Sequence, residues 1–313
     1  MNLKQSFLST PGPTTLKEAV KLYFKGVAMG AADIIPGVSG GTIALIAGIY
    51  SNLIDGIKSL DFDAVKKLAR FDLSGFVAHV HLKFLVILLA GIATAILSVA
   101  RGMHWLLENQ PTFTWSAFFG LILASIWVLS QKVEWSLFRV GGFVAGGLVG
   151  FFVVGMIPVA TPETWWFLVL CGMIAICAMI LPGISGAFLL LILGKYEFVT
   201  GALKHPFSAE SLVIILCFGI GAFMGITSFS RVLSYLLHHY EAFTLAFLTG
   251  LMTGSLRKVW PWKDVLETQI IRGKTYVLRE ANVLPMADMN LAICLGLMLV
   301  ALVLVLRLEK VAQ

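Results

Sequence analysis

Apolar residues in this chain fall in long blocks rather than in alternation. Runs free of charge occupy 84–100, 113–130, 140–161, 165–194, 212–230, 242–256 and 289–306. Several approach the roughly 20 residues that a helix needs to cross a bilayer core of about 30 Å. No stretch keeps the period of two that a membrane barrel requires, so the pattern predicts helices. Full spans are expected near 84–107, 112–131, 138–159, 211–237, 242–258 and 287–307. Two other stretches, 17–57 and 165–204, have Pro and Gly in their middles. The arms of the first cannot cross alone: residues 17–35 carry Lys17, Glu18, Lys21, Lys25 and Asp33, and 41–57 is too short. A re-entrant hairpin is predicted there, entering to a tip at "PGVSGG" and leaving on the same side. Irregular backbone is tolerated at membrane depth only under protein or beside a water-filled cavity, so the two tips should be buried together.

The chain repeats itself. An offset of 146 places "AADIIPGVSGGTIALIAGIY" (31–50) on "CAMILPGISGAFLLLILGKY" (177–196), with ten identities in the nineteen positions from 32 to 50. Beyond the longer charged loop of the first half the offset becomes 130. It then pairs Arg101 with Arg231 and "FTWSAFFGLILAS" (113–125) with "FTLAFLTGLMTGS" (243–255). The expectation is a single membrane domain of two repeats, about 17–159 and 163–308, with a short extracytoplasmic loop at 261–285. Three spans per half, an odd number, would invert one repeat relative to the other. The hairpins would then approach the midplane from opposite faces, as in secondary transporters built on broken helices. The predicted class is therefore an all-α polytopic membrane protein with an inverted repeat, two re-entrant hairpins and about six full spans.

Composition agrees with a membrane setting: 58% of the 313 residues are hydrophobic and 13% charged, with a mean hydropathy of +0.91. Of the 23 Lys and Arg, 14 fall on the side of the N-terminus in this topology, which places both termini in the cytoplasm. Six of the other nine lie in 257–285, where "ETQIIRGKTYVLRE" reads as a small β-hairpin turning at "RGK". The net charge of +6 fits loops facing an anionic leaflet, and no basic soluble domain offers itself to nucleic acid. The N-terminal stretch has no apolar segment with a small-residue cleavage site, so no signal peptide is expected. Cys171, Cys177, Cys217 and Cys294 have no zinc or disulfide spacing and read as buried thiols, and no metal or other cofactor is expected.

The chemistry lies in the repeated motif. Pro36 and Gly37, and Pro182 and Gly183, end one arm of each hairpin. Ser39 and Ser185 then stand at N-cap positions, with the amides of Gly40, Gly41 and Thr42, and of Gly186, directed to the tip. Free amides at the positive end of a helix dipole bind a phosphate or carboxylate without a side-chain charge. The plainer reading is a tight turn with small residues for close packing. Asp33 corresponds to Met179, so the fold does not require the carboxylate. A charge at the bilayer centre costs roughly 3 kcal/mol on insertion scales and usually faces a functional cavity. A proton or Na⁺ coupling site fits, as does a partner for a basic residue or a carboxylate at the interface. Arg101 and Arg231 suit phosphate at the two mouths of a pathway, or snorkelling to headgroups. His79 and His81 lie in a charged loop, and "GGFVAGGLVG" (141–150) has the small-residue spacing of close helix packing.

"GAADIIPGVSGGTIALIAGIY", "LPGISGAFLLLILGKY" and "GLMTGSLRKVWPW" together resemble a bacterial membrane family identified as undecaprenyl phosphate translocases, across about 20–307. The resemblance implies a transporter of the inner (cytoplasmic) membrane. It would recycle undecaprenyl phosphate, a polyprenyl phosphate lipid, from the outer to the inner leaflet in contact with membrane lipids and coupled to an ion gradient. The residues alone reach only an anion handled between hairpins, which leaves a small-anion channel or exchanger open. A polyprenyl pyrophosphate phosphatase is the other alternative. In that enzyme family a similar Pro-Gly-x-Ser motif continues Arg-Ser beside paired glutamates. Here Gly40–Gly41 and Gly186–Ala187 follow, with no such pair in an apolar segment, so no enzyme is expected. Cysteines introduced near Ser59 and near Lys204 should be labelled by an impermeant thiol reagent from opposite membrane faces. Labelling from one face would remove the inversion.

Overall fold

The computed structural model describes residues 3–34, 39–159, 161–204, 207–271 and 274–312. The chain runs through α1 (Leu3–Ser9), α2 (Leu16–Asp33), α3 (Gly40–Ile46), α4 (Tyr50–Lys58), α5 (Phe62–Ala69), α6 (Leu73–His79), α7 (Leu82–Asn109), α8 (Pro111–Lys132) and α9 (Leu137–Val154). The second half follows with α10 (Trp165–Ile180), α11 (Gly186–Ile192), α12 (Tyr196–Lys204), α13 (Ala209–His239), α14 (Glu241–Val259), strands β1 (Lys263–Ile271) and β2 (Lys274–Asn282), and α15 (Met289–Ala312). The strands pair antiparallel from Lys263 opposite Asn282 to Ile271 opposite Lys274, as a β-hairpin requires, and Arg272 and Gly273 of the expected "RGK" turn lie outside the described residues. Pro36 and Gly37 of the first tip lie outside the described residues.

Five helices among the described residues are long and apolar enough to cross a membrane: α7, α8, α9, α13 and α15. Their outward side chains are apolar and exposed, Leu97, Leu137, Phe152 and Leu299 among them, as a lipid-facing surface requires. The chain is a multi-pass membrane protein. The expected sixth span, 242–258, forms α14 but falls short of that hydropathy. The physical reason is its place at the centre. Thr244, Thr249 and Ser255 are buried with Leu248, Leu251 and Met252, so α14 meets protein where the other spans meet lipid. Its hydroxyls bond back to its own carbonyls, such as Thr249 Oγ1 to Leu245 O at 2.6 Å.

Each returning arm, expected as one helix, is broken in two. Gly48 (φ +67°) separates α3 from α4, and Gly194 (φ +63°), at the same place in the 146 offset, separates α11 from α12. A side chain in the left-handed region is strained, so glycine supplies the turn. The bend between α11 and α12 is 117°.

Equivalent helices meet through equivalent glycines. α2 packs on α7 where a Cβ at Gly26 would overlap Leu88 O, and one at Gly91 would overlap Tyr23 O. α10 packs on α13 where Gly172 faces Phe218 O and Gly221 faces Val169 O. All four pairs keep the offsets of 146 and 130. The third span of each half packs against the second span of the other, α9 on α14 and α15 on α8, with Gly120 against Met298 O and Gly250 against Phe143 O. Two apolar helices gain nothing from leaving lipid for each other, so close backbone approach supplies the attraction. The core joins the first hairpin (Ala44, Leu45, Ile54) to Leu88, Ile122, Ile180, Leu233 and Met252.

Gly172→Val should therefore cost about 1–3 kcal/mol or more by overpacking. Gly102→Val on α7, where a Cβ meets nothing within 4 Å, should cost far less. Unfolding of both variants in the same detergent compares them.

Candidate functional site

The described residues of the two repeated motifs meet, and hydrogen bonds between the halves join them. Ser39 Oγ donates to Met179 O (3.0 Å), the Gly183 amide donates to Thr42 Oγ1 (3.0 Å), and Tyr50 Oη donates to Ile180 O (3.1 Å). Ser39, Thr42 and Tyr50 are buried, as are Pro182, Gly183, Ser185 and Gly186. A Cβ at Gly41 would stand 2.5 Å from Ile180 O, so only glycine permits this approach.

The amides expected to be free in the first half are engaged within the chain. The Gly40 amide donates to Asp33 Oδ1 at 2.6 Å, the Gly41 amide to Ser39 Oγ at 3.1 Å, and the Thr42 amide to Ser39 O at 2.9 Å. The cause is Asp33, whose carboxylate reaches back over the start of α3 as an anion would. The second half copies the packing and not the chemistry. A Cβ at Gly40 would lie 2.5 Å from Asp33 Oδ2, and one at Gly186 would lie 2.5 Å from Met179 Cγ. A thioether carbon accepts nothing, and Ser185 makes no side-chain cap on α11.

A cavity of about 390 Å³ opens beside this uncapped end. Asp33, Ser39, Ser185 and Gly186 form its polar end, and Gly172, Leu190, Val199, Leu203 and Phe218 are among its apolar walls. One carboxylate thus shares this cavity with a hydroxyl that, among the described residues, has no hydrogen-bond partner, and with one amide lacking a side-chain cap.

The arginines lie elsewhere. Arg101 is exposed on α7 and lines neither this cavity nor the larger one described below. Arg231 donates to Thr227 O (3.2 Å) and stands 3.8 Å from Asp61 Oδ2, linking α13 to α5. Asp61 also bonds His79 Nε2 (2.9 Å) and caps α5 through the Ala64 amide (3.0 Å). Burial raises the Asp61 carboxyl, but the Ala64 amide and His79 outweigh it and hold the group below its usual value. His79 is therefore an anchor of the loop.

Other cations escaped the pattern. Lys195, 2% exposed, sits at the Gly194 break with Nζ 2.9 Å from Thr161 O and 3.9 Å from Glu163 Oε1. A charge directly after the apolar run 165–194 was its only signal. Arg257 and Lys258 end α14 against a cavity of about 900 Å³ under the β-hairpin. In the sequence they read as charges of a loop.

Residues 29–276 match the family described as undecaprenyl phosphate translocase-like. A polyprenyl-phosphate transporter of Vibrio cholerae serotype O1 (strain ATCC 39315 / El Tor Inaba N16961) is 42% identical over 300 residues, 93% of this chain and 96% of that protein. A polyprenyl-phosphate transporter of Staphylococcus aureus (strain NCTC 8325 / PS 47) is 31% identical over 252 residues, 76% and 84% of the two chains. No solved structure matches. The family and both relatives are transporters, not enzymes.

Thr42→Val leaves the buried Gly183 amide without its acceptor and should destabilise the protein by about 1–3 kcal/mol. Thr42→Ser keeps the hydroxyl and should lose much less, as read by thermal unfolding in detergent.

Proposed function

The chain belongs to the undecaprenyl phosphate translocase-like family, and from that membership we propose that it carries a polyprenyl phosphate across the bacterial inner membrane. The observation that carries this reading is the cavity uniting Asp33, Ser185 and Gly186 with apolar walls. Ser185 Oγ and the Gly186 amide supply donors for phosphate oxygens. The apolar residues beyond them suit the first isoprene units. The space is too small for a whole polyprenyl chain, so the tail remains between helices in lipid while the headgroup crosses. A small-anion channel has no use for walls of that composition.

The tips' difference fits alternating access between inverted halves. In this end state the second tip is open, whereas Ser39, Gly40, Gly41 and Thr42 are closed on Asp33 and on the other half. In the opposite state the first set would release its bonds and face the substrate. With the termini in the cytoplasm, the β-hairpin marks the outer face, and recycling runs from the outer to the inner leaflet. Arg101 and Arg231 have no contact with the headgroup in this scheme.

Coupling follows from charge. Phosphate beside an ionised Asp33 meets a like charge, which costs about 4 kcal/mol at 4 Å for an effective dielectric near 20. A proton or Na⁺ taken up with the lipid removes that cost, so cation and substrate load together. Asp33 is the coupling residue, and its carboxylate holds the Gly40 amide when no cation is bound.

Asp33→Asn retains an oxygen for the Gly40 amide and removes the charge. Polyprenyl phosphate should bind it as tightly as the parent or more so, while transport driven by a proton or sodium gradient is lost. Binding in nanodiscs and transport in vesicles should be measured on the same preparation. Gradient-driven transport that survives the substitution excludes the coupling role. Loss of binding in a folded variant assigns Asp33 to the substrate site instead.

A further inference from the structure

The larger cavity, about 900 Å³, lies between the end of α9, the helix α11, the end of α14 and the β-hairpin. Its walls bear two cations and one carboxylate: Arg257, Lys258 and Glu280. Glu280 is already satisfied by two ammonium groups, Lys258 Nζ at 3.2 Å and Lys263 Nζ at 3.1 Å. Burial pushes its carboxyl up, and the two lysines more than reverse this and hold it below the usual value. Lys263 is further fixed by donating to Lys258 O (2.6 Å). Arg257 is different. Its guanidinium stands 4.4 Å from the Phe151 ring, its carbonyl accepts from Asn282 Nδ2 (2.9 Å), and among the described residues no carboxylate pairs with it. An oriented, exposed guanidinium on a cavity wall whose one lining carboxylate among the described residues is paired with two lysines is a receptor for a planar or tetrahedral oxyanion.

The cavity has a definite relation to the tip. Phe188 and Leu191 of α11 line it, with Lys258 Nζ 5.1 Å from the Phe188 ring. Ala187 and Leu190, one residue back and so about 100° around the same two-turn helix, line the cavity of Asp33, Ser185 and Gly186. α11 therefore borders both spaces. Glycines of positive φ flank it, Gly183 (+87°) and Gly194 (+63°), so it can tilt without unwinding its neighbours.

We propose that this cavity is a second phosphate site, a vestibule where Arg257 and Lys258 hold a phosphomonoester before or after α11 admits it to the tip. The inference rests on the transport reading above and adds to it a headgroup station on the face of the β-hairpin. The apolar side chains of Met156, Ile157 and Leu266 on the rim supply the surface for the start of a lipid tail.

The test uses the full chain in nanodiscs, with a photoreactive amino acid placed singly at Met156 or Leu266 for the vestibule and at Leu203 for the tip cavity. The probes are a polyprenyl phosphate and the matching polyprenol. All three positions should capture the phosphate lipid, and the vestibule positions should capture the polyprenol poorly. Arg257→Gln should reduce vestibule capture roughly tenfold, as loss of one charge-assisted hydrogen bond implies. It should leave capture at Leu203 by a folded protein, while Arg257→Lys restores part of the loss. Displacement by inorganic phosphate would assign the station to phosphate in general, and resistance to it would assign it to the lipid headgroup; both keep the site. Equal capture of polyprenol, or capture at Met156 and Leu266 unchanged by Arg257→Gln, overturns the vestibule. Capture at Leu203 alone also overturns it while the transport reading stands. Capture at none of the three removes both.

Discussion

A broken helix in an apolar medium leaves peptide groups that water cannot reach, and this protein answers by making each tip complete the other. Met179 and Ile180 end α10 with carbonyls that no helix turn receives, and Ser39 and Tyr50 of the opposite half donate to them. Gly183 ends the second turn with an orphan amide, and Thr42 accepts it. Each unmet group would cost several kcal/mol in hydrocarbon. The remainder of the architecture serves that meeting. Glycine crossings draw α2 to α7 and α10 to α13, which sets the depth at which the tips arrive. α14 can carry threonine and serine because it packs in the middle of the bundle.

The same constraint explains why the halves differ where it matters. Two tips with identical chemistry would compete for identical partners, and neither would be left with a free donor. Replacing the carboxylate of position 33 by the thioether of position 179 keeps the shape over the following glycine and withdraws the acceptor. One α-helix start is thereby capped by the chain's own carboxylate, and the other has no side-chain cap. The cost of the open end is modest because it faces a cavity and not a packed core.

Much of this was legible in the residues. The offsets of 146 and 130, read from identities in "PGVSGG" and "FTWSAFFG", recur in the crossings Gly26–Leu88 and Gly172–Phe218. The burial of the tips followed from backbone chemistry alone. What escaped was the identity of partners. That Asp33 turns back on Gly40 depends on the path of the break between them. The glycines of "AGIY" and "LGKY" sat in apolar runs that look continuous, so the second break in each arm went unseen. Arg257 and Lys258 read as loop charges because Glu280 and Asn282, which define their cavity, arrive from a strand more than twenty residues later. The span 242–258 looked like its neighbours because it was read from its charge-free run, whereas its buried Thr244, Thr249 and Ser255 are among the residues that lower its mean hydropathy.

A carrier of a lipid faces a problem that a carrier of a soluble solute does not. Only the headgroup needs a polar path, and the tail must never be enclosed. A deep, closed binding site is therefore the wrong shape. A short polar station beside small and apolar residues is the right one, and the cavity at Ser185 has that form. A single station is also insufficient, since a phosphate leaving an aqueous leaflet surface for the midplane must shed water before it finds new donors. The proposed cationic vestibule, bordered by the same two-turn helix as the tip cavity, would divide that desolvation into two smaller steps. In that scheme Arg257 would replace part of the hydration while the tail is still at the interface, and Ser185 and Gly186 would replace the rest. In the coupling proposed for Asp33, the phosphate charge brought beside the carboxylate would demand a cation, so the step completing desolvation would also be the step that couples transport to the gradient.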